Sequence, residues 1–542
     1  MRRKIRMALA ALVTLALLAA NACWAEPMPA DDLTGDLIPR QDAAGSDAEA
    51  PTVQTNPLDA ELVVGYVAAE NARVNPFRCN ERDLVSANQL VFEPLVTLDD
   101  ARKPAPMLAD NWTHEDKTWT FTLRSGITFH NGAELTAYDV AASYEAFVAS
   151  EYDNPYSTRI KALIAGMEAV DDRTLTVQAV YSGLITLYAM DFPVVHASTV
   201  NDDLPRGTGP YWYTYYEFDR VLRIEANPLW WKKQPTSASI AFRRYAEVGE
   251  AIEGLQTGEI ELLATQSSTA ALSRKLSNLT SMDYGTTVYE YLLPNLGSGS
   301  VMSDVNVRKA VMYAIDRSVL ASNAYLDMAI QSEVPVLPGT WLYESQSAVY
   351  HYSPERALQY LYDSGWKDLN GDTVLDRLNG IQLEELTVNI ITYNESTTSI
   401  RENAVYLISN YLNAVGIKTR VEVLSKEKAA SRIKDRDFDL ALIGVNLSEV
   451  PILQPLLSSD GSLNLNGYGD DWMDGWIGET STESDEARLK ELYSSIQMKV
   501  VDRLPIMGLL FRTGTVLSTR SLGGLSGIRP MNTYRGLEYL TD

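Results

Sequence analysis

Cysteine is almost absent. The 542-residue chain contains two, Cys23 and Cys79, which excludes a disulfide-stapled scaffold and any cysteine-based metal centre. Histidine is scarce too: His114, His130, His196 and His351 include no pair four residues apart, so the helical zinc pair of metallohydrolases is missing. No Gly-x-Ser-x-Gly elbow occurs, although composition alone leaves a carboxylate-based glycosidase open. Basic residues are outnumbered, 46 Lys and Arg against 71 Asp and Glu, for a formal charge of −25. That balance repels phosphate backbones, argues against a nucleic-acid partner and favours solubility. Beyond the first twenty residues no apolar run is long enough to span a bilayer. What is present is globular: 46% apolar and 22% charged residues, in a chain long enough for two or three domains. The 29 Tyr and 10 Trp suit an amphipathic binding surface as well as a large core.

The chain opens with Arg2, Arg3, Lys4 and Arg6, followed by small and apolar residues from Met7 to Ala20. As a helix that run spans about 21 Å, short of the ~30 Å hydrocarbon core. With Ala20-Asn-Ala22 as a small-residue cleavage site, residues 1–25 read as a secretory signal peptide. Cys23 stands where bacterial lipoproteins carry their lipidated cysteine, although Ala20 occupies the usual Leu position and Asn21 is atypical. Lipidation at Cys23 is the expectation, with ordinary cleavage to a free periplasmic or secreted protein as the alternative. Residues 26–57 hold Glu26, Asp31, Asp32, Asp36, Asp42, Asp47 and Glu49 among Ala, Pro, Gly and Ser. Such a stretch buries too little apolar surface to offset its ordering entropy and reads as a disordered acidic linker.

From Leu58 onward strand and helix patterns alternate. Trp119-Thr-Phe-Thr-Leu123 has the period of a half-buried strand, and Thr136-Ala-Tyr-Asp139 reads as a capping box opening a helix through Phe147. Asp304 starts a helix with an apolar stripe at Val307, Ala310, Val311, Ala314 and Ile315; Ser353-Pro-Glu355 starts another, stopped by Gly365. The clearest unit is a strand over Leu386–Thr392, a helix from Ile400 to Val415 ended by Gly416, a strand over Ile417–Val423 and a strand over Phe438–Ile443. This is βαβ grammar, hence an α/β sheet. Ligands of open α/β sheets bind beyond the carboxyl ends of the strands. Those ends are Tyr393-Asn394-Glu395 and Gly444-Val-Asn446-Leu-Ser448-Glu449.

Several motifs follow one another in order: Leu108-Ala-Asp-Asn-Trp112, Phe129-His-Asn-Gly132, Gly207-Thr-Gly-Pro-Tyr211, Asn227-Pro-Leu-Trp-Trp231, Leu255-Gln-Thr-Gly-Glu-Ile260 and Val307-Arg-Lys-Ala-Val-Met-Tyr-Ala-Ile-Asp-Arg317. Together they resemble the family 5 extracellular solute-binding proteins, the oligopeptide- and dipeptide-binding group of ABC importers. The resemblance implies an α/β, two-lobed periplasmic-binding-protein-like fold with an extra domain inserted in the first lobe. By that analogy lobe I comprises residues 58–91, 207–297 and 516–542, the inserted domain 92–206 and lobe II 298–515. It also implies a binding protein and not an enzyme: an extracytoplasmic monomer that closes on a small ligand, a peptide, and presents it to a membrane permease, with contact to the membrane only through a lipid anchor. No cofactor and no metal are expected, and His130 is assigned to a structural turn.

Peptide-binding relatives carry Gly-Trp-x-x-Asp after the strand matching Phe438–Ile443, the Asp accepting the peptide's amino terminus. Here Val445 replaces the Trp and Ser448 the Asp, with Glu449 one residue on and able to reach the same amine. The alternative is a pocket that takes a different solute, or a ligand-sensing role on the same scaffold. The candidate binding residues are therefore Asn295, Tyr393, Asn394, Asn446, Ser448, Glu449 and Trp472. Asn295 is expected at the hinge or cleft. Trp472 could stack on a ligand, although its spacing from Trp476 also fits helix packing. Asp368-Leu-Asn370-Gly-Asp372-Thr-Val-Leu-Asp376 spaces oxygen ligands like the start of a calcium loop, but Thr373 and Asn379 replace the glycine and glutamate such a loop requires.

Overall fold

The computed structural model describes residues 61–218, 220–395 and 398–540. The signal peptide, Cys23 and the acidic linker lie outside the described residues. Within them, no helix is long and apolar enough to cross a membrane.

One long sheet organises the molecule. At one end lie Tyr211–Glu217, Val221–Ala226, Ser239–Tyr245, Glu61–Val67 and Leu262–Thr265; at the other lie Leu440–Asn446, Thr387–Tyr393 and Lys418–Leu424. Two strands of unusual length, Thr280–Pro294 and Met507–Ser518, run antiparallel through the middle and belong to both ends. Their ladder is regular from Thr280 to Gly285, and the register then shifts twice, between Gly285 and Tyr289 and between Glu290 and Tyr291. Such a bulge bends a strand pair locally. The two ends are the lobes, and the shared strands are the connection.

The βαβ unit is present. Thr387–Tyr393 pairs in parallel with both Lys418–Leu424 and Leu440–Asn446, and the helix Ile400–Ala414 makes the crossover. The first two strands are displaced by one residue from expectation, which makes Tyr393 a strand residue. The third differs more: it starts at Leu440 and extends to Asn446, because Gly444, Val445 and Asn446 continue the ladder against Glu290, Tyr289 and Val288. Asn446 is a strand residue, not a loop residue.

A separate antiparallel sheet, in the order Ala109–Glu115, Thr118–Leu123, Thr174–Ala179 and Ile164–Ala169, stands apart from the long one. Trp119, Phe121 and Leu123 alternate into its core, as their period demands. The capping box at Thr136 forms, with the Thr136 backbone N–H donating to Asp139 at 3.0 Å. Two of the recurring motifs are tied to a buried Glu93, whose carboxylate accepts from the Thr208 hydroxyl at 2.9 Å, the Trp231 indole at 2.8 Å and the Trp230 indole at 3.3 Å. His130 holds the same corner. Its Nδ1 accepts the Gly207 N–H at 3.2 Å, which leaves Nε2 to donate to the Gly209 carbonyl at 3.3 Å. Burial pushes its pKa down to about 4. At Gly209 a Cβ would stand 2.7 Å from the Leu90 carbonyl oxygen, so the close backbone approach requires glycine.

Candidate binding site

The lobes meet along a narrow front. Gly183 and Leu184 donate backbone hydrogen bonds to Ser481 and Glu483 at 3.2 and 2.9 Å. The Trp341 indole donates to the Tyr188 hydroxyl at 2.8 Å, and Arg102 reaches the Gly285 carbonyl at 2.6 Å, beside the bulge of the connecting strands. Between these contacts lies a cavity of about 60 Å³. A single water needs roughly 10–15 Å³ on this scale, so the space suits a few waters or the end group of a ligand. Arg102 and Tyr188 come from one side; Leu337, Trp341 and residues 447–453 from the other; Thr286, Thr287 and Phe511 from the connecting strands.

Glu449 is the chemically distinctive group in that wall. Its side chain is only 5% exposed, yet neither carboxylate oxygen has a hydrogen-bond partner. The nearest cation is Arg529, with Nε 3.7 Å from Oε2. That is close enough for Coulomb attraction and too far for a hydrogen bond. Arg529 is itself buried, and its Nε and Nη1 also lack partners. Burial lowers the pKa of Arg102 against the opposing pull of Glu449, with the Arg529 charge adding to the decrease. Burial raises that of Asp191, although the Arg159 guanidinium bonded to it and the nearby Arg529 resist the shift. Leaving buried charged atoms without hydrogen bonds costs about 1–3 kcal/mol each, more for ionised groups. A bound polar group would remove that cost.

Beneath the cavity the connecting strands carry a second cluster. Glu290, fully buried, receives Arg401 Nη2 at 2.8 Å and Arg512 Nε at 2.7 Å; Arg512 Nη2 also reaches Glu395 at 2.7 Å. Burial alone would raise the Glu290 pKa, but the two guanidiniums outweigh it and hold the carboxyl at about 2. Gly444 is required beside this network, since a Cβ there would lie 2.7 Å from Arg401 Nη2 and 2.8 Å from Glu290 Oε1.

The sequence-derived candidates therefore separate. Ser448 and Glu449 line the cavity. Asn446 stands next to it, its Oδ1 accepting from the Thr287 hydroxyl at 2.5 Å. Tyr393 lies under the Arg401 guanidinium, 4.3 Å from ring centre, and is part of the ionic cluster beneath. Asn394 is exposed and holds the neighbouring strand through its backbone N–H to the Leu424 carbonyl at 3.0 Å. Two candidates lie outside the cavity wall. Asn295 follows Thr280–Pro294, where its Nδ2 donates to the Arg436 and Phe438 carbonyls at 3.0 and 2.8 Å and ties a turn. Trp472 is 69% exposed, packs loosely against Trp476 on Asp471–Thr480, and is not in the cavity wall. Arg102, in the cavity wall, and Arg529, facing Glu449 behind it, are not legible in the sequence, because no motif or periodicity marks them.

Residues 103–463 match the bacterial extracellular solute-binding proteins, family 5 (middle). The chain is 21% identical over 487 residues to the oligopeptide-binding protein AppA of Bacillus subtilis strain 168, covering 86% of this chain and 88% of that protein. It is 24% identical over 491 residues to the glutathione-binding protein GsiB of Shigella flexneri, covering 86% and 92%. Among solved structures, a nickel ABC transporter protein from Bacillus halodurans superposes with a TM-score of 0.73 at 19% identity, over 86% of this chain and 97% of that one. The unliganded open form of the periplasmic murein tripeptide-binding protein MppA gives 0.73 at 18% identity, over 88% and 95%. The family match covers about two thirds of the chain, and the likeness in fold extends over most of it. The chain belongs to the family 5 extracellular solute-binding proteins, the extracytoplasmic substrate-binding components of ABC importers, and is a two-lobed α/β binding protein and not an enzyme.

Proposed function

We propose that this protein captures peptides with a free amino terminus between its lobes and delivers them to an ABC permease, with Glu449 accepting the terminal ammonium. The observation that carries the reading is the Glu449 carboxylate, buried in the cavity wall with both oxygens unpartnered. An ammonium offers three donors and a positive charge, and charge-assisted hydrogen bonds of this kind are among the stronger ones. The relatives AppA and GsiB, named for oligopeptide and glutathione binding, support the ligand class. Ser448 and Asn446 supply polar contacts at the cavity rim, and backbone pairing along the cleft adds affinity with little dependence on side chains. The lobes swing about the connecting strands, with residues 58–91, 207–297 and 516–542 forming lobe I, 92–206 an appended domain and 298–515 lobe II. The mature monomer is tethered outside the cytoplasm through a lipid on Cys23.

Calorimetric titration with a short alanine peptide, free and N-acetylated, tests the ligand class, with mass spectrometry of whatever co-purifies to identify the natural cargo. Preference for the free amine supports peptide capture, whereas equal or absent binding of both overturns it. A second reading, a small anionic solute, is favoured by Arg102 and Arg529, two guanidiniums that both interact with the single carboxylate Glu449. An acidic non-peptide in the mass spectrum would select it.

A further inference from the structure

The far side of the second lobe carries a group of acidic residues with no counter-charge. The carboxylates of Asp368, Asp372 and Asp376 lie within 4.8 Å of one another. None is in an ion pair with Lys, Arg or His among the described residues. The nearest guanidinium in sequence, Arg377, is engaged elsewhere, with Glu384 at 2.9 Å and over the Trp366 ring at 4.3 Å. The decisive observation is Asp376. It is fully buried, and its Oδ1 has no hydrogen-bond partner. Oδ2 receives only a long N–H contact from Leu369 at 3.4 Å. A fully buried carboxylate oxygen with neither proton donor nor cation, on a side chain grouped with two further carboxylates, is a costly arrangement.

We infer that Asp368, Asp372 and Asp376 hold a calcium ion, which fastens the base of the second lobe. Two oxygens at the 2.3–2.6 Å typical of Ca²⁺ stand at most about 5 Å apart across the ion, which the spacing here satisfies. Asn370 completes the polar side, its Nδ2 donating to Asp372 Oδ2 at 3.1 Å and its Oδ1 accepting the Asp372 N–H at 2.9 Å. The same oxygens also shape the turn and keep a second lone pair each for a cation: Asp368 Oδ1 and Oδ2 accept the Gly371 and Thr373 N–H groups at 2.7 and 3.1 Å, and Asp372 Oδ1 the Val374 N–H at 2.9 Å. The substitution that argued against a calcium loop does not prevent the turn, because Thr373 adopts φ 75° where glycine is usual. Asn379, in place of a distal glutamate, ends the strand Asp376–Asn379; the buried Asp376 supplies the inner carboxylate instead.

The position says what the ion does. Leu375 donates to the Gly416 carbonyl at 2.9 Å, and Leu386 to Leu375 at 2.7 Å. The loop is thus stitched to the amino ends of Thr387–Tyr393 and Lys418–Leu424. The solute cavity lies toward the opposite ends, one strand length or roughly 20 Å away. The ion is structural and independent of cargo. With two exposed ligands, affinity belongs in the range of extracellular modules, on the order of 10⁻⁴–10⁻³ M.

The test uses the full chain, stripped with EDTA and desalted, then equilibrated with radioactive calcium in dialysis and melted with and without CaCl₂. Expected are one saturable Ca²⁺ per chain and a raised melting temperature. Asp376→Asn and Asp372→Asn should each weaken uptake by at least about tenfold, while Glu427→Gln, at an exposed carboxylate elsewhere, leaves it unchanged. Asp372 is exposed, so its variant carries the test should Asp376→Asn fail to fold. No saturable uptake by the unmodified chain, or unchanged uptake in both Asp variants, overturns the site. Equal competition by Mg²⁺ overturns the assignment to calcium.

Discussion

Glu449 faces Arg529 across the gap at 3.7 Å, and neither group completes a hydrogen bond to the other. One comes from the loop after Leu440–Asn446, the other from the C-terminal tail. The pair is held near enough to attract and far enough apart to admit a third party.

Replacing Glu449 by Ala should weaken free peptides at least about tenfold, the worth of one charge-assisted contact at 1.4 kcal/mol per decade. N-acetylated peptides should lose much less. Calorimetry on both ligand types with both proteins checks this, and equal losses would remove Glu449 from amine recognition.

Gly183 has φ −82°, open to any residue, but a Cβ there would meet Ser481 O at 2.7 Å and Glu483 N at 2.9 Å. Gly183→Ala therefore penalises only the contact between lobes. Solution scattering should show a larger radius of gyration, and ligand affinity should fall severalfold with the melting temperature nearly unchanged. An unaltered radius and affinity would show that this contact does not report closure.

Glu290→Gln should destabilise the protein by about 1–3 kcal/mol, since it removes the carboxylate bonded to both Arg401 and Arg512 and leaves them only Glu395, at 3.4 and 2.7 Å. The native carboxyl is depressed from 4.5 to about 2. Its contribution is therefore complete above pH ~4.5 and is lost as pH falls through about 2. Urea titrations between pH 6 and pH 2 should show this slope in the unmodified protein and lose part of it in the variant.

His130 acts in the same direction over a higher window. Its folded pKa is pushed from 6.5 to about 4, so the unfolded chain takes up the proton first. Stability is complete above about pH 6.5 and declines as pH drops toward 4, by up to roughly 3 kcal/mol. NMR titration of the imidazole should show no protonation above pH 5; a midpoint near 6.5 would contradict the buried, neutral ring.

The parts of the molecule readable in the sequence are those built on local pattern. Alternation in Trp119–Leu123, the apolar stripe of Ile400–Ala414 and the caps at Thr136 and Ser353 each express one element's own geometry. Asn446 was misread as a loop because its pairing depends on Val288, far away in sequence. Which end of Thr280–Pro294 faces the cavity is equally nonlocal, so the sequence pattern does not separate Asn295 from Thr286 and Thr287, which line it. Glu449 could be singled out because it follows a carboxyl strand end. Arg529 could not, since nothing near it in sequence distinguishes it from a surface arginine, and only the return of the tail to the first lobe buries it.

The two strands shared by both lobes have a mechanical consequence. A double thread with a slipped register at Gly285–Tyr289 would resist sliding and twisting and yield to flexure, so the closure proposed above would retrace a single arc. Whatever enters would then meet the same opposing faces on every cycle, with selectivity set by the end of that swing.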